Sequence, residues 1–533
     1  VLAIAVASTF LVGALTAGLC SPIVLGMDIW QALDSFHAFQ YFRVNFSHCL
    51  LLHPDDISKN NSEFQAWFTP GVAVIPWLVQ TLTGVSQHDS HWMVNVVFLL
   101  SALSGFFVLL RQIGFSMNTT ILSVSFYSSN LLLLMPFCRF KSNDIYLLGY
   151  YPWVLLLHHM YRNRPNSLAL LVLLLGPIGF FLKSSFLLIY LNLILAFLSL
   201  SLLRQNWRSL QISELLRAGF PLVSFGIVYA VCYFLFIAHG EHSGHPRMLT
   251  FHPAYLVTTF SGPVTSIFSM DRAIDILNAE HLHEFLLGPE QYWLYGIYAS
   301  VSVAAVAIYR LVWSMQVVSV QFRMWLLVFI FFTITSTLFL HITASGIDFT
   351  SRPYALSGFL LVPFMVEYGS SSVGKGSAKT LLMMFILSTS FVFSYSIFTY
   401  QKIDSKSIAI GPVSGFRIRY LNDDSEILGK LKDICASADD NSVVMLPSYG
   451  MSLEFSDVRP ITNYENWDLE SQLTHQPEYG GTVDKLLILS RKEFGTGSAQ
   501  LYLSKFTDYH SVECLAQSSS FQIFELMPQR QTP

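Results

Sequence analysis

The sequence predicts a polytopic α-helical membrane protein of about eleven transmembrane helices with a small C-terminal α/β soluble domain. Three observations predict it. The chain of 533 residues is 53% apolar and only 12% charged, against about 25% charged in an average soluble protein. Its mean hydropathy is +0.50. Long apolar runs fill the first three quarters and are missing from about residue 401 onward, where charge rises. The net charge of −4 leaves no basic footprint for nucleic acid.

The apolar runs place spans at about 1–25, 92–112, 118–137, 144–161, 167–182, 184–203, 219–238, 291–312, 322–343, 354–369 and 378–399. The stretch 167–203 is interrupted by Gly176-Pro177 and again by Lys183-Ser184-Ser185, and reads as two short helices around a hairpin. Segment 70–85 is apolar but holds Pro70 and Pro76, so it reads as a re-entrant or interfacial piece. Arginine and lysine concentrate in one set of short connections: Arg111; Arg162 and Arg164; Arg204, Arg208 and Arg217; Arg310 and Arg323; Lys375 and Lys379. The positive-inside rule puts these in the cytoplasm. The long segments 26–91 and 239–290 and everything after 400 then face outward. This gives a multi-pass protein with a membrane domain over 1–400 and a periplasmic or lumenal domain over 401–533. No internal repeat is visible, which speaks against a transporter built from repeated halves.

In the tail, 425–435 reads as a helix, 442–447 and 485–490 as short buried strands, and 512–515 with 521–526 as a hairpin. Six cysteines are scattered without CxxC spacing. Cys435 and Cys514 both lie in the outward tail, where a disulfide is chemically allowed.

Several constellations can carry chemistry. Asp28 follows the first apolar run by three residues, at a boundary where a charge is costly without a use. On a helical wheel Asp28, Gln31, Ser35, Phe39 and Phe42 form one stripe, and Asp34, His37 and Tyr41 a second. Asp28 and Asp34 suit a catalytic carboxylate or a cation ligand, and Asp28 equally suits a helix N-cap. No cofactor is demanded; a divalent cation, Mg2+ or Mn2+, is the one such a site would take. Arg139, Lys141 and Asp144, in an outward loop, place two cations beside an acid, an arrangement that grips phosphate, although Asp144 also fits a cap. Arg352 and Tyr354 precede the tenth span, where an arginine can hold a phosphate as its bond breaks or simply reach the headgroups. Lys183 is a further outward cation. Trp67 and Trp77, beside Pro70 and Pro76, can stack on sugar rings or anchor an interfacial segment. His242 and His245 are weak metal candidates, since no HExxH or structural zinc spacing surrounds them. The His158-His159 pair, near the cytoplasmic end of span four, reads as interfacial, with a haem or chlorophyll ligand as the less favoured alternative.

The order of these parts resembles the GT-C class of membrane glycosyltransferases, which use polyprenyl-phosphate-linked sugars. A first span leads at once into Gly26-Met27-Asp28. A long aromatic loop runs to Trp92 and contains Trp67-Phe68-Thr69-Pro70-Gly71. A late Arg352-Pro353-Tyr354-Ala355-Leu356 precedes an apolar helix with Pro363, and a soluble tail follows. The resemblance implies that Asp28 activates an acceptor hydroxyl and that Arg352 contacts the leaving phosphate. It also implies membrane lipid and a lipid-linked sugar as partners, with protein partners available to the C-terminal domain. The sequence departs from the class at three points. Asp28 is followed by Ile29 rather than a second acid, the second acidic position is Asn143-Asp144, and Pro353 interrupts the Arg-Tyr pair. These departures keep open an alternative: a non-catalytic GT-C-like structural subunit of a larger membrane complex.

Overall fold

The computed structural model describes residues 51–52, 64–65, 69, 71–85, 87–128, 130, 142–204, 212–235, 238, 253–267, 292–315, 318–343, 354–372, 424–437, 442–446, 461–463, 485–491, 509–519 and 521–528. The expected spans 1–25 and 378–399 lie outside these residues. The chain divides into two compact units. One comprises Val1–Ser21, Trp92–Ala238 and His242–Thr399; the other comprises Pro22–His91, His239–Glu241 and Tyr400–Pro533.

The first unit is a helical bundle. Its elements are α2 (Gln87–Ile113), which begins in the other unit, α3 (Met117–Ser128), α4 (Ser142–Tyr161), α5 (Pro165–Leu182), α6 (Phe186–Arg204), α7 (Ile212–Leu235), α8 (Pro253–Ile267), α9 (Tyr292–Ser314), α10 (Val320–Thr343) and α11 (Ala355–Ser372). Among the described residues, four helices are long and apolar enough to cross a membrane: Asp89–Ile113, Pro165–Leu182, Phe186–Leu203 and Val320–Ile342. With the shorter apolar helices Gly219–Leu235, Ala299–Ser314 and Ala355–Tyr368, they make this a multi-pass membrane protein.

The break in 167–203 falls where Lys183 stands, not at Gly176-Pro177. Helix α5 continues through Pro177, and Gly176 lies so close to Val228 of α7 that a Cβ there would come within 2.9 Å of its methyl. Helix α2 ends at Gly114, whose φ of +110° lets the chain turn back. The Phe115 N–H donates to the Leu110 carbonyl at 3.1 Å across this cap. Within the segment 239–290 lies helix α8, whose residues 261–267 are buried.

Contacts fix the helix directions. Phe98 meets Tyr146 and the Ser101 hydroxyl donates to the Gly149 carbonyl at 2.7 Å, while Gly105 approaches Pro152 and Trp153; α2 and α4 therefore run parallel. Phe197 of α6 packs on Trp325 of α10, and Ser336 of α10 donates to Asn192 of α6 at 2.8 Å, an antiparallel pair. Helix α11 is antiparallel to both α3 and α10: Tyr127 donates to the Phe359 carbonyl and Thr119 to Glu367, while Ser357 meets Thr333 and Phe364 meets Phe322. Such buried interhelical hydrogen bonds each contribute about 0.6 kcal/mol on average in membrane bundles. Following the chain through these directions, Arg111, Arg162, Arg164, Arg204, Arg310 and Arg323 fall at one end of the bundle. The positions of Asp144, Lys183 and Tyr354 fall at the other.

The second unit holds two short strands, β1 (Leu51–Leu52) and β2 (Phe64–Gln65), paired antiparallel. Helix α1 (Gly71–Thr83) runs unbroken through Pro76. Helix α12 (Asp424–Ser437) and strands β3 (Ser442–Leu446), β4 (Ile461–Asn463), β5 (Lys485–Arg491), β6 (Tyr509–Gln517) and β7 (Phe521–Pro528) follow. The sheet order is β4-β3-β5-β7-β6, with β3 parallel to β4 and β5 and the last three strands antiparallel. Ile427, Leu431 and Cys435 recur every four residues, giving α12 one apolar stripe. The stripe packs with Val444, Leu487, Leu489, Phe521 and Ile523.

The Cys435–Cys514 bridge is not formed: both thiols are free, Cys435 buried and Cys514 exposed. Cys435 belongs to the core stripe, whereas Cys514 sits on strand β6 with its thiol directed to the Ala516 carbonyl. Burial pushes the Cys435 thiol up to about 12. In the native protein Cys514 is therefore expected to alkylate with iodoacetamide, while Cys435 reacts only after denaturation; equal labelling of both in the folded state would contradict the packing. The sign for stability follows. The unfolded thiol releases its proton at about pH 8.5 and the folded one only at about 12, so its contribution is intact below the lower value and is lost as pH rises through that window. Cys435→Ala should flatten the alkaline loss of stability.

Candidate functional site

The end of the helical unit that carries Lys183 and Tyr354 is built from helix termini. Helices α5 and α6 close on Lys183, whose backbone is extended (φ −160°, ψ 126°). Its N–H donates to the Gly179 carbonyl at 2.9 Å, and its own carbonyl accepts from the Phe186 N–H at 2.9 Å. Gly179 leaves room for the Phe186 ring, which any Cβ would strike. This tight hairpin presents a half-buried lysine at the bundle end.

Tyr354 opens helix α11 and is only 2% exposed. Its ring lies on Gly262 of α8, where a Cβ would come within 2.5 Å of the ring carbons. The Ser266 hydroxyl donates to the Tyr354 carbonyl at 3.2 Å. The Tyr354 hydroxyl faces Thr259 of α8 and Thr337 of α10 without closing a hydrogen bond at normal geometry. Thr337 donates to the Thr333 carbonyl at 2.8 Å, so its oxygen keeps acceptor capacity. Nearby, the Asn130 amide donates to the Ile267 carbonyl at 2.8 Å, and Tyr309 donates to the Phe260 carbonyl at 3.2 Å. The result is a seam of hydroxyls between α8, α10 and α11, behind the residue two positions after Arg352. The arrangement can fix the start of α11 and bring a cation to the same bundle end.

Of the residues singled out from the sequence, the structure brings the positions of Lys183, Tyr354 and Asp144 to one end of this unit. Asp144 is in the first turn of α4. Trp77 belongs to the other unit, half-buried on α1, with its carbonyl accepting from Thr81 at 2.9 Å. Asp28, Asp34, Trp67, Arg139, Lys141, His242, His245 and Arg352 lie outside the described residues. Among the described residues no three His, Cys, Asp or Glu side chains gather to hold a metal.

His158, near the arginine-bearing end of α4, is buried. Its Nδ1 lies 2.8 Å from the Val154 carbonyl, and its ring packs on Tyr190 and Phe197. Sequence reasoning missed the hydroxyl seam. Its trace was present: Thr333, Ser336 and Thr337 recur at helical spacing along α10, and Ser261-Gly262-Pro263 marks a close-packed stretch of α8.

This multi-pass bundle, with its polar helix ends and a sheet-bearing tail, has the fold of the GT-C class of membrane glycosyltransferases. In particular, it is similar to the crystal structure of ArnT from Cupriavidus metallidurans bound to undecaprenyl phosphate. The TM-score is 0.53 at 10% sequence identity, covering 98% of this chain and 97% of that one. The apo state of the same protein gives a TM-score of 0.50 at 9% identity over the same shares. No family model and no curated protein matches the sequence.

Proposed function

We propose that the protein is an inverting membrane glycosyltransferase that moves a sugar from a polyprenyl-phosphate donor to an acceptor at the outer face of a bacterial inner membrane. The observation that carries this reading is the fold shared over 98% of the chain with a protein solved holding a polyprenyl phosphate. The bundle end bearing Lys183 and Tyr354, opposite the arginine-rich end, supports the outward orientation.

In this reading Asp28 accepts the proton of the acceptor hydroxyl. The freed oxygen attacks the anomeric carbon, and the bond from that carbon to the phosphate oxygen breaks. The charge left on the lipid phosphate is met by Arg352, with Lys183, Arg139 and Lys141 as further cations. Asp144 orients this basic group, and Asp34 assists Asp28. Tyr354 anchors the start of α11, two residues after Arg352. Trp67 and Trp77 stack on sugar rings. Asp28 and Asp34, or His242 and His245, are the groups offered to a divalent cation such as Mg2+ or Mn2+. Residues 401–533 form a periplasmic α/β domain that binds the acceptor or a protein partner.

The test is reconstitution of the purified chain in vesicles with undecaprenyl-phosphate-linked sugars and a panel of hydroxyl acceptors. Release of undecaprenyl phosphate is the expected result, and Arg352→Lys should lower turnover while leaving donor binding measurable, because a point charge replaces a bidentate fork. A second reading rests on Ile29 standing where the class usually has an acid: a non-catalytic GT-C-like subunit. Recovery in a stoichiometric complex, with no phosphate release from any donor, would favour it.

A further inference from the structure

We infer that the arginine-bearing end of the helical unit is a docking site for the phosphate headgroups of anionic phospholipids. The inference does not depend on glycosyl transfer, since this end lies opposite Lys183 and Tyr354.

Three arginines at this end are held in place rather than left to float. Arg111, in the last turn of α2, donates from Nη1 to the Phe115 carbonyl in the turn to α3. Arg162, in the turn between α4 and α5, donates from Nη1 to the His159 carbonyl at 2.7 Å and from Nε to the Gln321 side chain at 3.3 Å. Its Nη1 also lies 3.3 Å from His159 Nε2. Arg323, in the first turn of α10, donates from Nη1 to the Met315 carbonyl across the turn from α9. One aromatic layer links the three: Phe115 on Phe364, Phe364 on Phe322, and Phe322 on His159, with ring centroids 5.2, 6.1 and 6.0 Å apart.

A guanidinium has five N–H donors, and these bonds use one or two in each arginine. Arg323 Nε is buried; the other remaining donors keep the planar geometry that matches phosphate oxygens. Among the described residues, no carboxylate pairs with Arg111, Arg162, Arg164, Arg310 or Arg323 within salt-bridge distance; the ion pair described, Lys430 with Glu426, is in the other unit. Arg164 and Arg310, at the same end, are exposed. Two carboxylate residues belong to helix ends here: Glu367 of α11, which accepts from the Thr119 hydroxyl, and Glu214 in the first turn of α7.

Arginines that merely reach into a headgroup layer need no fixed partners. Three that are bonded to the backbone at three separate turns, over one aromatic floor, form a preset array for a phosphate diester at the membrane surface. A basic residue near an anionic surface contributes about 1 kcal/mol, or about five-fold in retention. Removing three should cost on the order of a hundred-fold.

The experiment uses the full chain in neutral detergent, titrated with phosphatidylglycerol or phosphatidylcholine. Retained lipid is counted by native mass spectrometry and the thermal midpoint is followed. Phosphatidylglycerol should be retained and should raise the midpoint, and phosphatidylcholine should do neither. Arg111→Gln/Arg162→Gln/Arg323→Gln should remove the difference, and Lys430→Gln, a charge lost elsewhere, should keep it. If the triple variant does not fold, the three single variants are compared for the difference between the two lipids, each expected at about one fifth of the wild-type retention. Equal retention of both lipids by the wild type, undiminished preference in the variants, or equal protection by polyglutamate would overturn the inference.

Discussion

Asp28→Asn is expected to lower glycosyl transfer by about 10²- to 10⁴-fold, the range a positioned general base contributes, with the protein still folded and the lipid donor still bound. The amide keeps the size and shape of the carboxylate and can still accept a hydrogen bond, so cap geometry at the end of the first apolar run survives. What it cannot do is take the proton from an acceptor hydroxyl. The two roles open to Asp28 therefore separate cleanly. A purely capping aspartate would show a stability loss of at most about 1 kcal/mol, with turnover per folded molecule unchanged. A catalytic one shows the reverse. Turnover and thermal midpoint measured on the same preparation decide, and wild-type turnover in the variant would remove Asp28 from the reaction. Asp34→Asn, on the second stripe of the same segment, is expected to have the smaller effect.

The helical unit was legible where length and apolarity act locally. The runs at 92–112, 144–161 and 322–343 correspond to α2, α4 and α10 within a few residues. The sidedness of Asp144, Lys183 and Tyr354 followed from counting spans, because successive antiparallel helices alternate their ends. Failures arose where tertiary contact overrides local signal. Gly176-Pro177 looks like a breaker, yet Val228 packs where a side chain would have been, and the helix continues. Helix α8 has 15 residues, too few for a span, and carries Thr259, Ser261, Thr265 and Ser266, which read as loop. It is helical and buried because its small residues let α11 approach, so that hydroxyls bond to helix carbonyls such as Gly262 and Pro263. Cys435 and Cys514 show the converse limit: sequence spacing cannot tell that one thiol faces a core and the other solvent.

That close approach of α8 and α11 gives the second large expectation. Gly358→Ala should destabilise the helical unit by about 1–3 kcal/mol, as overpacking does, although alanine is the better helix former. A Cβ on Gly358 would overlap the Pro263 carbonyl oxygen and the Ser266 hydroxyl of α8. The carbonyl belongs to helix backbone and cannot turn aside, and the hydroxyl is already committed to the Pro263 and Tyr354 carbonyls. Relief requires α11 to move away from α8, which also pulls Tyr354 off Gly262 and disturbs the seam behind Arg352. Gly226 on α7 is the matched control. It is also helical, but nothing lies within 4 Å of its Cβ position, so Gly226→Ala should gain about 0.5–1 kcal/mol from helix propensity alone. The opposite signs of two identical substitutions, read as shifts of the thermal midpoint in the same detergent, isolate packing from propensity. If both variants shifted upward together, the α8–α11 contact would not have the closeness on which the candidate site depends.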